Sequence, residues 1–344
     1  ALHYFSSIAN SNSFKHTPLT YKTMIERLGF EGEIDGVQYL LHQMKLEGIS
    51  CSEDLFISVI NSYRRGGLAE QALKTFYRIR EFGDGIEPNV YTYNILLKAL
   101  CKNDRVDNAC KLLVEMSNNG CSPDAVSYTT IVSSMCRVGK VEEARELSLR
   151  FEPIVSVYNA LVNGLCREHK IEEAFRCLGE MVDKGIDPNV ITYSTIINGL
   201  SDAGNFELSL AVFAKMLVRG CSPNVHTFTS LIKGCFVGGR VYEGLHLWNQ
   251  MSQEGILPNV VSYNTLLHGL CSNGFMDWAI RLFNQMERYG CVPDITTYNE
   301  LLDGLCKANM LKEALGLVRE MKEKRIEPSL VSYNSILHGF CCAG

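Results

Sequence analysis

Residues Val260 to Cys271 have the sequence VVSYNTLLHGLC, and close variants of this segment recur along most of the chain. From residue 190 onward the variants begin 35 residues apart each time. The prolines from Pro88 onward keep this spacing, with one shorter interval of 30 residues. A period of this length is typical of a stacked array in which each small unit packs only against its neighbours.

We number each unit from the residue after the Asp or Asn that follows the recurring proline. Nine units result, with a partial unit at each end. They are 18–52, 53–89, 90–124, 125–154, 155–189, 190–224, 225–259, 260–294 and 295–329, with partial repeats at 1–17 and 330–344. Unit 53–89 has two extra residues, which its closing loop can absorb. Unit 125–154 is five residues short, and we expect a local change of superhelical pitch there.

Each full unit contains two runs of apolar residues at helical spacing. In unit 90–124 each run lies on one helical face. The runs are Tyr93, Leu96, Leu97, Leu100 and Cys101, and then Val106, Ala109, Cys110, Leu113 and Met116. Gly120 then supplies a helix stop. We predict an all-α fold, a right-handed superhelical α-solenoid of about nine helical hairpins. Each hairpin has a helix A and a helix B, with a helix B-like segment at 1–17 and a helix A at 330–344.

The composition is that of a folded chain, with 46% apolar and 21% charged residues and no apolar run of about 18 residues that could span a membrane. The net charge of −5 argues against binding any nucleic acid by charge alone. Of the 14 cysteines, six occupy the twelfth position of a unit, where buried thiols would imply a reducing compartment. Because no C-x-x-C pair occurs, we expect no metal site and no cofactor.

The chain begins ALHYFSSIANSNSFKHT, without an initiator Met, an Arg-rich amphipathic presequence or a secretory signal. It ends fifteen residues into a unit. We therefore expect a fragment of a longer array, whose targeting segment was removed or was never in this part of the protein.

A polar line runs beside the apolar face of helix A. In unit 90–124, Tyr91, Asn94, Lys98 and Lys102 lie at i, i+3, i+7 and i+11. Stacking helix A of successive units would bring these lines onto one concave surface, which is the candidate binding site.

The repeating unit of this sequence resembles that of the pentatricopeptide repeat family. The resemblance rests on the 35-residue period, the V-x-[ST]-Y-[NST]-x-[LI]-[LI]-x-G-[LF]-C pattern of helix A, the E-A start of helix B and the P-[DN] ending. It covers essentially the whole chain, and the uniform spacing is similar to the P-type subclass. The related tetratricopeptide repeat has a period of about 34 residues and a tryptophan signature that is absent here.

The resemblance implies binding of single-stranded RNA, one base per repeat, through the fifth and last residues of each unit. The matching pairs are Asn94 with Asp124, Asn159 with Asn189, Ser194 with Asn224, Thr229 with Asn259, Asn264 with Asp294, and Asn299 with Ser329. Thr129 stands alone, because its closing residue Ile154 cannot hydrogen-bond. The first two units carry Lys22 with Ser52 and Ile57 with Asn89, and we expect them to read no base or to read one loosely.

The chemistry of the closing residue supports the family's rule. A carboxylate only accepts hydrogen bonds and suits the ring N–H of uracil or guanine, whereas Asn can donate to the bare ring nitrogen of adenine or cytosine. Family usage associates Asn at the fifth position with pyrimidines and Ser or Thr with purines. Units 90–124 to 295–329 then specify 5′-U-(purine)-C-A-A-U-C-3′.

Two further positions match the family's RNA contacts. The second residues, which would sandwich bases, are Tyr91, Val126, Ser156, Ile191, His226, Val261, Thr296 and Val331. The basic thirteenth residues, which would contact phosphates, are Arg65, Lys102, Arg137, Arg167 and Lys307. Asp202, Val237 and Ser272 occupy the thirteenth position in units 190–224 to 260–294, so their grip on the backbone should be weaker.

Simpler readings of these residues stay open. The closing Asp, Asn or Ser could only cap the next helix A, and the polar fifth residue could simply be solvated. The aromatic fourth residues, such as Tyr93 and Tyr333, could stack on bases, but they lie on the apolar face and we expect core packing. His226 and His268 lack partners for a metal.

The leading functional hypothesis is a monomeric RNA-binding module that acts by occupying a transcript in mitochondria or, alternatively, chloroplasts. We expect no enzyme, no membrane contact and no small-molecule substrate. A protein-binding helical scaffold is the alternative. An appended deaminase or nuclease domain, as some family members carry, would have to lie beyond Gly344.

Overall fold

The computed structural model describes Phe5 and residues 16–49, 52–78 and 88–343. These residues form helices joined by short loops, without a strand among them, which confirms the predicted all-α fold. The helices are α1 (Pro18–Glu31), α2 (Ile34–Leu46), α3 (Glu53–Arg65), α4 (Ala69–Tyr77), α5 (Val90–Lys102), α6 (Val106–Asn118), α7 (Ala125–Arg137), α8 (Val141–Ser148), α9 (Val155–Arg167), α10 (Ile171–Asp183), α11 (Val190–Asp202), α12 (Phe206–Val218), α13 (Val225–Val237), α14 (Val241–Gln253), α15 (Val260–Ser272), α16 (Met276–Met286), α17 (Ile295–Lys307), α18 (Leu311–Glu323) and α19 (Leu330–Ala343).

The chain divides into two compact regions, residues 1–164 and 165–344. In the first region α1 packs against α3, α3 against α5 and α5 against α7. In the second, α11 packs against α13, α13 against α15, α15 against α17 and α17 against α19. Each of these helices is the first of its hairpin, so each region contains a layer of A helices on which the B helices pack.

The predicted apolar face of helix A forms the core of each layer. In α11 the side chains of Tyr193, Ile196, Ile197 and Leu200 are fully buried, and Met216 of α12 packs into the same interior. Burying a side chain of this size stabilises the fold by about 1.5–3 kcal/mol, so packing rather than helix propensity holds these short helices together.

The aromatic residue at the fourth position belongs to this core in most units. The rings that are buried as expected are Tyr93, Tyr158, Tyr193, Phe228, Tyr263 and Tyr298. Tyr128 is half-buried and stacks on Phe151, with ring centroids 3.8 Å apart. For Tyr333 the core prediction is wrong, since its side chain is 46% exposed. No helix B follows α19 in the described residues to cover that ring.

Helix A starts at a side-chain cap and helix B ends at a left-handed residue. The closing residue of a unit accepts a hydrogen bond from the backbone N–H of the third residue of the next helix A, whose hydroxyl accepts from the cap in return. These capping boxes form at Asp124, Asn189, Asn224, Asn259 and Asp294. The capping role considered from the sequence is therefore confirmed. Gly120 ends helix B with φ 78°, also as predicted, whereas Arg325 occupies the equivalent place with φ 60°.

A glycine at the tenth position lets successive A helices approach closely. A Cβ on Gly199 would lie 2.7 Å from Cβ of Cys166, and one on Gly304 would lie 2.5 Å from Sγ of Cys271. On Gly269 it would lie 2.3 Å from the ring of Phe236. The tenth residue of one unit thus packs on the twelfth residue of the unit before it.

Among the twelfth-position cysteines, Cys101, Cys136, Cys166 and Cys306 are buried as predicted. Cys271 is half-buried, and for Cys341, which is exposed, the prediction of a buried thiol is wrong. Every cysteine that the structure describes is a free thiol. Burial raises the pKa of Cys166 and Cys235 to about 12 and that of Cys101 to about 11, so these thiols are protonated and unreactive at neutral pH.

The structure describes all of unit 125–154 but only part of unit 53–89. In unit 125–154 helix B is α8, with 8 residues, where most other B helices have 13. The insertion of unit 53–89 and most of the helix B-like segment at 1–17 lie outside the described residues. None of the described helices is long and apolar enough to cross a membrane.

Candidate nucleic-acid interface

The fifth residue of a unit and the residue that closes it lie side by side, although 30 positions separate them. Asn94 Nδ2 donates to Asp124 Oδ1 at 3.0 Å, and Asn264 Nδ2 donates to Asp294 Oδ1 at 3.3 Å. Asn299 Nδ2 donates to Ser329 Oγ at 3.4 Å. The contact forms because the closing residue caps the next helix A, which packs on the helix A that carries the fifth residue. The structure thus brings three of the predicted pairs together.

A third side chain, a hydroxyl, also hydrogen-bonds to each of these pairs. The sequence pattern contains this hydroxyl, but sequence reasoning gave it no role. It belongs to the third residue of the following helix A and is fully buried in Ser127, Thr297 and Ser332. Ser127 Oγ donates to Asn94 Oδ1 at 2.6 Å, and Thr297 Oγ1 donates to Asn264 Oδ1 at 2.7 Å. Ser332 Oγ donates to Asn299 Oδ1 at 2.5 Å. The recurring Ser or Thr of the helix A pattern was the available signal.

The two closing aspartates are held in their ionised form. Burial alone would raise the pKa of Asp124, but hydrogen bonds from the Ser127 backbone, the Asn94 amide and the Ser127 hydroxyl outweigh it and lower the pKa below 3.8. The pKa of Asp294 is lowered in the same way, since bonds from Thr297 and Asn264 outweigh burial. The positive end of the capped helix adds to this effect. Both carboxylates therefore only accept hydrogen bonds at neutral pH.

Hydroxyls at the fifth position make different contacts. Ser194 Oγ lies 2.7 Å from Thr227 Oγ1, which donates to Asn224 Oδ1 at 3.1 Å, so a hydroxyl again links the two predicted residues. Thr229 Oγ1 instead donates to the carbonyl of Val225 in its own helix at 2.6 Å.

The structure also places three further predicted base-reading residues. Thr129 Oγ1 lies 2.7 Å from Ser156 Oγ, the predicted base-sandwiching residue of the next unit. Asn159 and Asn189 belong to different compact regions of the chain. Asn159 is half-buried on α9, and Asn189 caps α11 by accepting from Thr192 N at 3.1 Å.

The second residues of the units expose apolar side chains next to these pairs. Tyr91, Val126, Ile191, Val261 and Val331 are between 43% and 60% exposed, although comparable side chains on the same helices are buried. Ser156, His226 and Thr296 are exposed as well. A row of exposed apolar groups beside oriented polar groups can hold a flat, partly polar ligand.

The basic residues at the thirteenth position are exposed, but two of them are already engaged. Arg137 pairs with Asp104 at 2.7 Å and Lys307 pairs with Asp303 at 2.6 Å. Arg65, Lys102 and Arg167 lie on the surface. In unit 190–224 the acidic Asp202 at this place pairs with Lys233 of the next helix A. Asp303 and Lys307 are i,i+4 neighbours on one helix, so their pairing could have been predicted from the sequence. The other two ion pairs join residues of different units, which the sequence alone does not bring together.

In the second region a cavity of about 760 Å³ opens along α13, α15 and α17. Its walls include Asn264, Asp294, Val261 and Thr296, so predicted base-reading and base-sandwiching residues face one space. His268 also lines it and lies 2.6 Å from Glu300, whose hydrogen bond raises the histidine pKa above 6.5. The described residues hold no group of three or more metal-ligating side chains.

The repeats of this chain match a known family. The PPR repeat family matches residues 52–102, 88–137, 153–202, 190–237, 238–272, 258–307 and 293–342, and the PPR repeat matches residues 19–49. This chain belongs to the pentatricopeptide repeat (PPR) family. The resemblance seen in the sequence is thereby confirmed, and assignment to the P-type subclass stays a prediction.

Among relatives of this PPR chain, pentatricopeptide repeat-containing protein At3g48810 of Arabidopsis thaliana is 52% identical over 223 residues, which are 55% of this chain and 34% of that protein. Pentatricopeptide repeat-containing protein At5g64320, mitochondrial, of the same plant is 33% identical over 100 residues, 29% of this chain and 14% of that protein. The chain therefore spans about a third of the first relative and about a seventh of the second.

Solved structures support the fold. The crystal structure of PPR10 in complex with an 18-nt psaJ RNA element matches 99% of this chain with a TM-score of 0.70 and 23% identity, over 50% of PPR10. PPR10 from maize matches with a TM-score of 0.65 and 21% identity, covering 99% of this chain and 54% of that one. Both matches confirm the α-solenoid predicted from the sequence.

Proposed function

We propose that this chain binds single-stranded RNA sequence-specifically, with one base read by each of the units between residues 90 and 329. The observation that carries the proposal is the hydrogen-bonded pairing of fifth and closing residues, as in Asn264 with Asp294, beside the exposed side chain of Val261. Apolar side chains on both faces of a base exclude water from it. The polar pair can then form hydrogen bonds with the edge of the base in a low-dielectric environment, where such bonds are strong.

The charge state of the closing residue specifies the base. Asp124 and Asp294 stay ionised and accept from the ring N–H of uracil. Asn and Ser at the other closing positions can donate to a ring nitrogen that carries no hydrogen. The proposed target is 5′-U-(purine)-C-A-A-U-C-3′, with the purine assigned from Thr129 alone.

The proposed phosphate contacts are Arg65, Lys102 and Arg167, which are exposed and, within the described part of the chain, not paired with a carboxylate, whereas Arg137 and Lys307 must first leave their carboxylate partners. The PPR10 structure, which contains RNA, supports this use of the fold. We propose that the chain acts as a monomer by occupancy, without chemistry of its own, in an organelle. Relatives named as mitochondrial favour the mitochondrion.

The test is a binding titration with RNA that contains UACAAUC or UGCAAUC, against a scrambled RNA of the same composition and the matching single-stranded DNA. We expect one of the two designed RNAs to bind at least tenfold more tightly than the scrambled RNA, since each mismatched base removes about one net hydrogen bond. The matching DNA has the same base edges and tests whether binding also depends on the 2′-hydroxyl. Equal and weak binding to all four would refute the proposal and favour a protein-binding scaffold.

A further inference from the structure

The amide of a fifth-position asparagine is held in one orientation by the helix that follows it. In unit 260–294 the amide oxygen of Asn264 accepts from Thr297 Oγ1 at 2.7 Å, and Nδ2 donates to Asp294 Oδ1 at 3.3 Å. Asn94 is held in the same way by Ser127 and Asp124, with distances of 2.6 and 3.0 Å. An amide has one oxygen and two N–H groups, so the second N–H remains for a ligand.

The hydroxyl is itself fixed and cannot easily change its partner. Thr297 is fully buried, and its oxygen accepts from the backbone N–H of Asp294 at 3.1 Å. That bond points the hydroxyl hydrogen away from the backbone, towards the amide oxygen and the nearby carboxylate. The shorter of the two distances is the one to the amide oxygen, 2.7 against 2.9 Å.

Orientation decides which base edge fits. Uracil presents a ring N–H flanked by carbonyl oxygens, which matches an accepting carboxylate beside a donating amide N–H. Guanine presents its ring N–H between a carbonyl oxygen and an amino group. Its carbonyl side accepts the same amide N–H as uracil does, whereas its amino side, which uracil lacks, matches a carboxylate beside an amide oxygen. Turning the amide over therefore changes the preferred partner from uracil towards guanine.

We propose that the third residue of helix A is a specificity-determining positioning residue for the unit before it, because its hydroxyl turns the asparagine N–H towards the base and so favours uracil over guanine. The residues in this role are Thr297 for unit 260–294 and Ser127 for unit 90–124. This inference rests on the proposed RNA-binding function.

The chain contains a matched control. Ser262 has the same place and the same capping box, but its hydroxyl donates to the backbone carbonyl of Asn259 at 2.8 Å. The fifth residue of the preceding unit 225–259, Thr229, bonds to its own helix instead. Loss of the Ser262 hydroxyl removes a capping interaction and leaves the fifth residue as it was.

The experiment measures affinities for the designed RNA with U or G at the sixth base, using wild type, Thr297→Val, Thr297→Ser and Ser262→Ala. We expect Thr297→Val to lower the preference for U over G by roughly two- to tenfold, the effect of one net hydrogen bond. Thr297→Ser should keep the preference for U over G at the sixth base, and Ser262→Ala should leave that preference unchanged.

The outcomes separate this inference from the function on which it rests. If wild type prefers U at the sixth base and folded Thr297→Val keeps that preference, the positioning role is wrong while base reading stands. If wild type has no preference there, base reading itself fails and the inference fails with it. Circular dichroism checks folding, and Ser127→Ala, tested at the first base, repeats the experiment in the other compact region.

Discussion

The contact between Gly269 and Phe236 predicts a large and specific effect of a single methyl group. A Cβ on Gly269 would lie 2.3, 2.4 and 2.7 Å from three carbons of the Phe236 ring, well inside the ordinary contact distance of about 3.5 Å. The ring cannot simply move away, because a Cβ on Gly244 would also lie within 3.1 Å of it. The phenyl group therefore fills a slot between α14 and α15.

The magnitude follows from two opposing terms. Replacing glycine by alanine inside a helix gains about 0.5–1 kcal/mol from backbone entropy. Overpacking a filled core costs about 1–3 kcal/mol. We expect Gly269→Ala to lower the free energy of unfolding by about 1–2 kcal/mol. Gly316→Ala is the control, because its Cβ meets nothing within 4 Å, and it should raise stability by about 0.5–1 kcal/mol.

Urea unfolding monitored by circular dichroism measures both variants. Several other units have Cys at the place of Phe236, and adding Phe236→Cys to Gly269→Ala should relieve the clash. The double variant should then be more stable than the sum of the two single effects predicts. Strict additivity, or a Gly269→Ala protein as stable as Gly316→Ala, would refute the idea that the phenyl ring fixes the spacing of α13 and α15.

Four further predictions concern single residues or salt. Asn264→Thr should shift the preference at the sixth base from U towards G by roughly tenfold in competition binding, because a hydroxyl replaces the oriented amide; an unchanged preference in a folded protein would contradict the assignment. Arg325→Gly should raise the urea midpoint by the equivalent of about 1 kcal/mol, since arginine is strained at φ 60°; no gain would mean that its side chain offsets the strain. Log affinity should fall with log salt at a slope of about 2, since three of the five thirteenth-position cations are not paired with a carboxylate of the described residues, and a slope near 3.5 would show that Arg137 and Lys307 also leave their partners. The raised pKa of His268 means that its pairing with Glu300 stabilises the protein below pH 6.5 and that this stability is lost as pH rises through the folded pKa. With the side chain 62% exposed, His268→Gln should cost only a few tenths of a kcal/mol at about pH 5.5 and nothing at about pH 8.5, whereas an equal cost at both would exclude titration as the cause.

The sequence was sufficient for the helices and their order because the relevant forces are local or repeat with the period. The apolar spacing of Tyr193, Ile196 and Leu200, and the glycine after helix B, each predict an element without knowledge of its partners. Stacking then follows, since a short amphipathic helix is stable only when its apolar face is covered. Tyr333 shows the limit of this reasoning, because a core position is buried only where a neighbouring helix covers it.

The contacts that orient the candidate site were beyond the sequence because each joins residues about 30 or more positions apart. The Ser or Thr at the third position is compatible with a cap alone, and the pattern does not show that its hydrogen reaches the preceding helix. Similarly, the cation of Arg137 could not be matched to Asp104 before the hairpins were stacked. Registry between neighbouring A helices decides both contacts, and it depends on how far the tenth-position residue lets the helices approach.

Capping and base reading, which the sequence presented as alternatives for the closing residue, are compatible in the structure. Asp294 accepts from the Thr297 backbone at 2.9 Å and from the amide of Asn264 at 3.3 Å, and a carboxylate has about four lone-pair sites. The cap fixes the carboxylate in space and helps to keep it ionised, as a hydrogen-bond acceptor for uracil must be. A residue that had to turn towards the base only on binding would lose more conformational entropy. Because the cap has already ordered this side chain, helix capping in one unit would lower the entropic cost of the proposed base recognition in the unit before it.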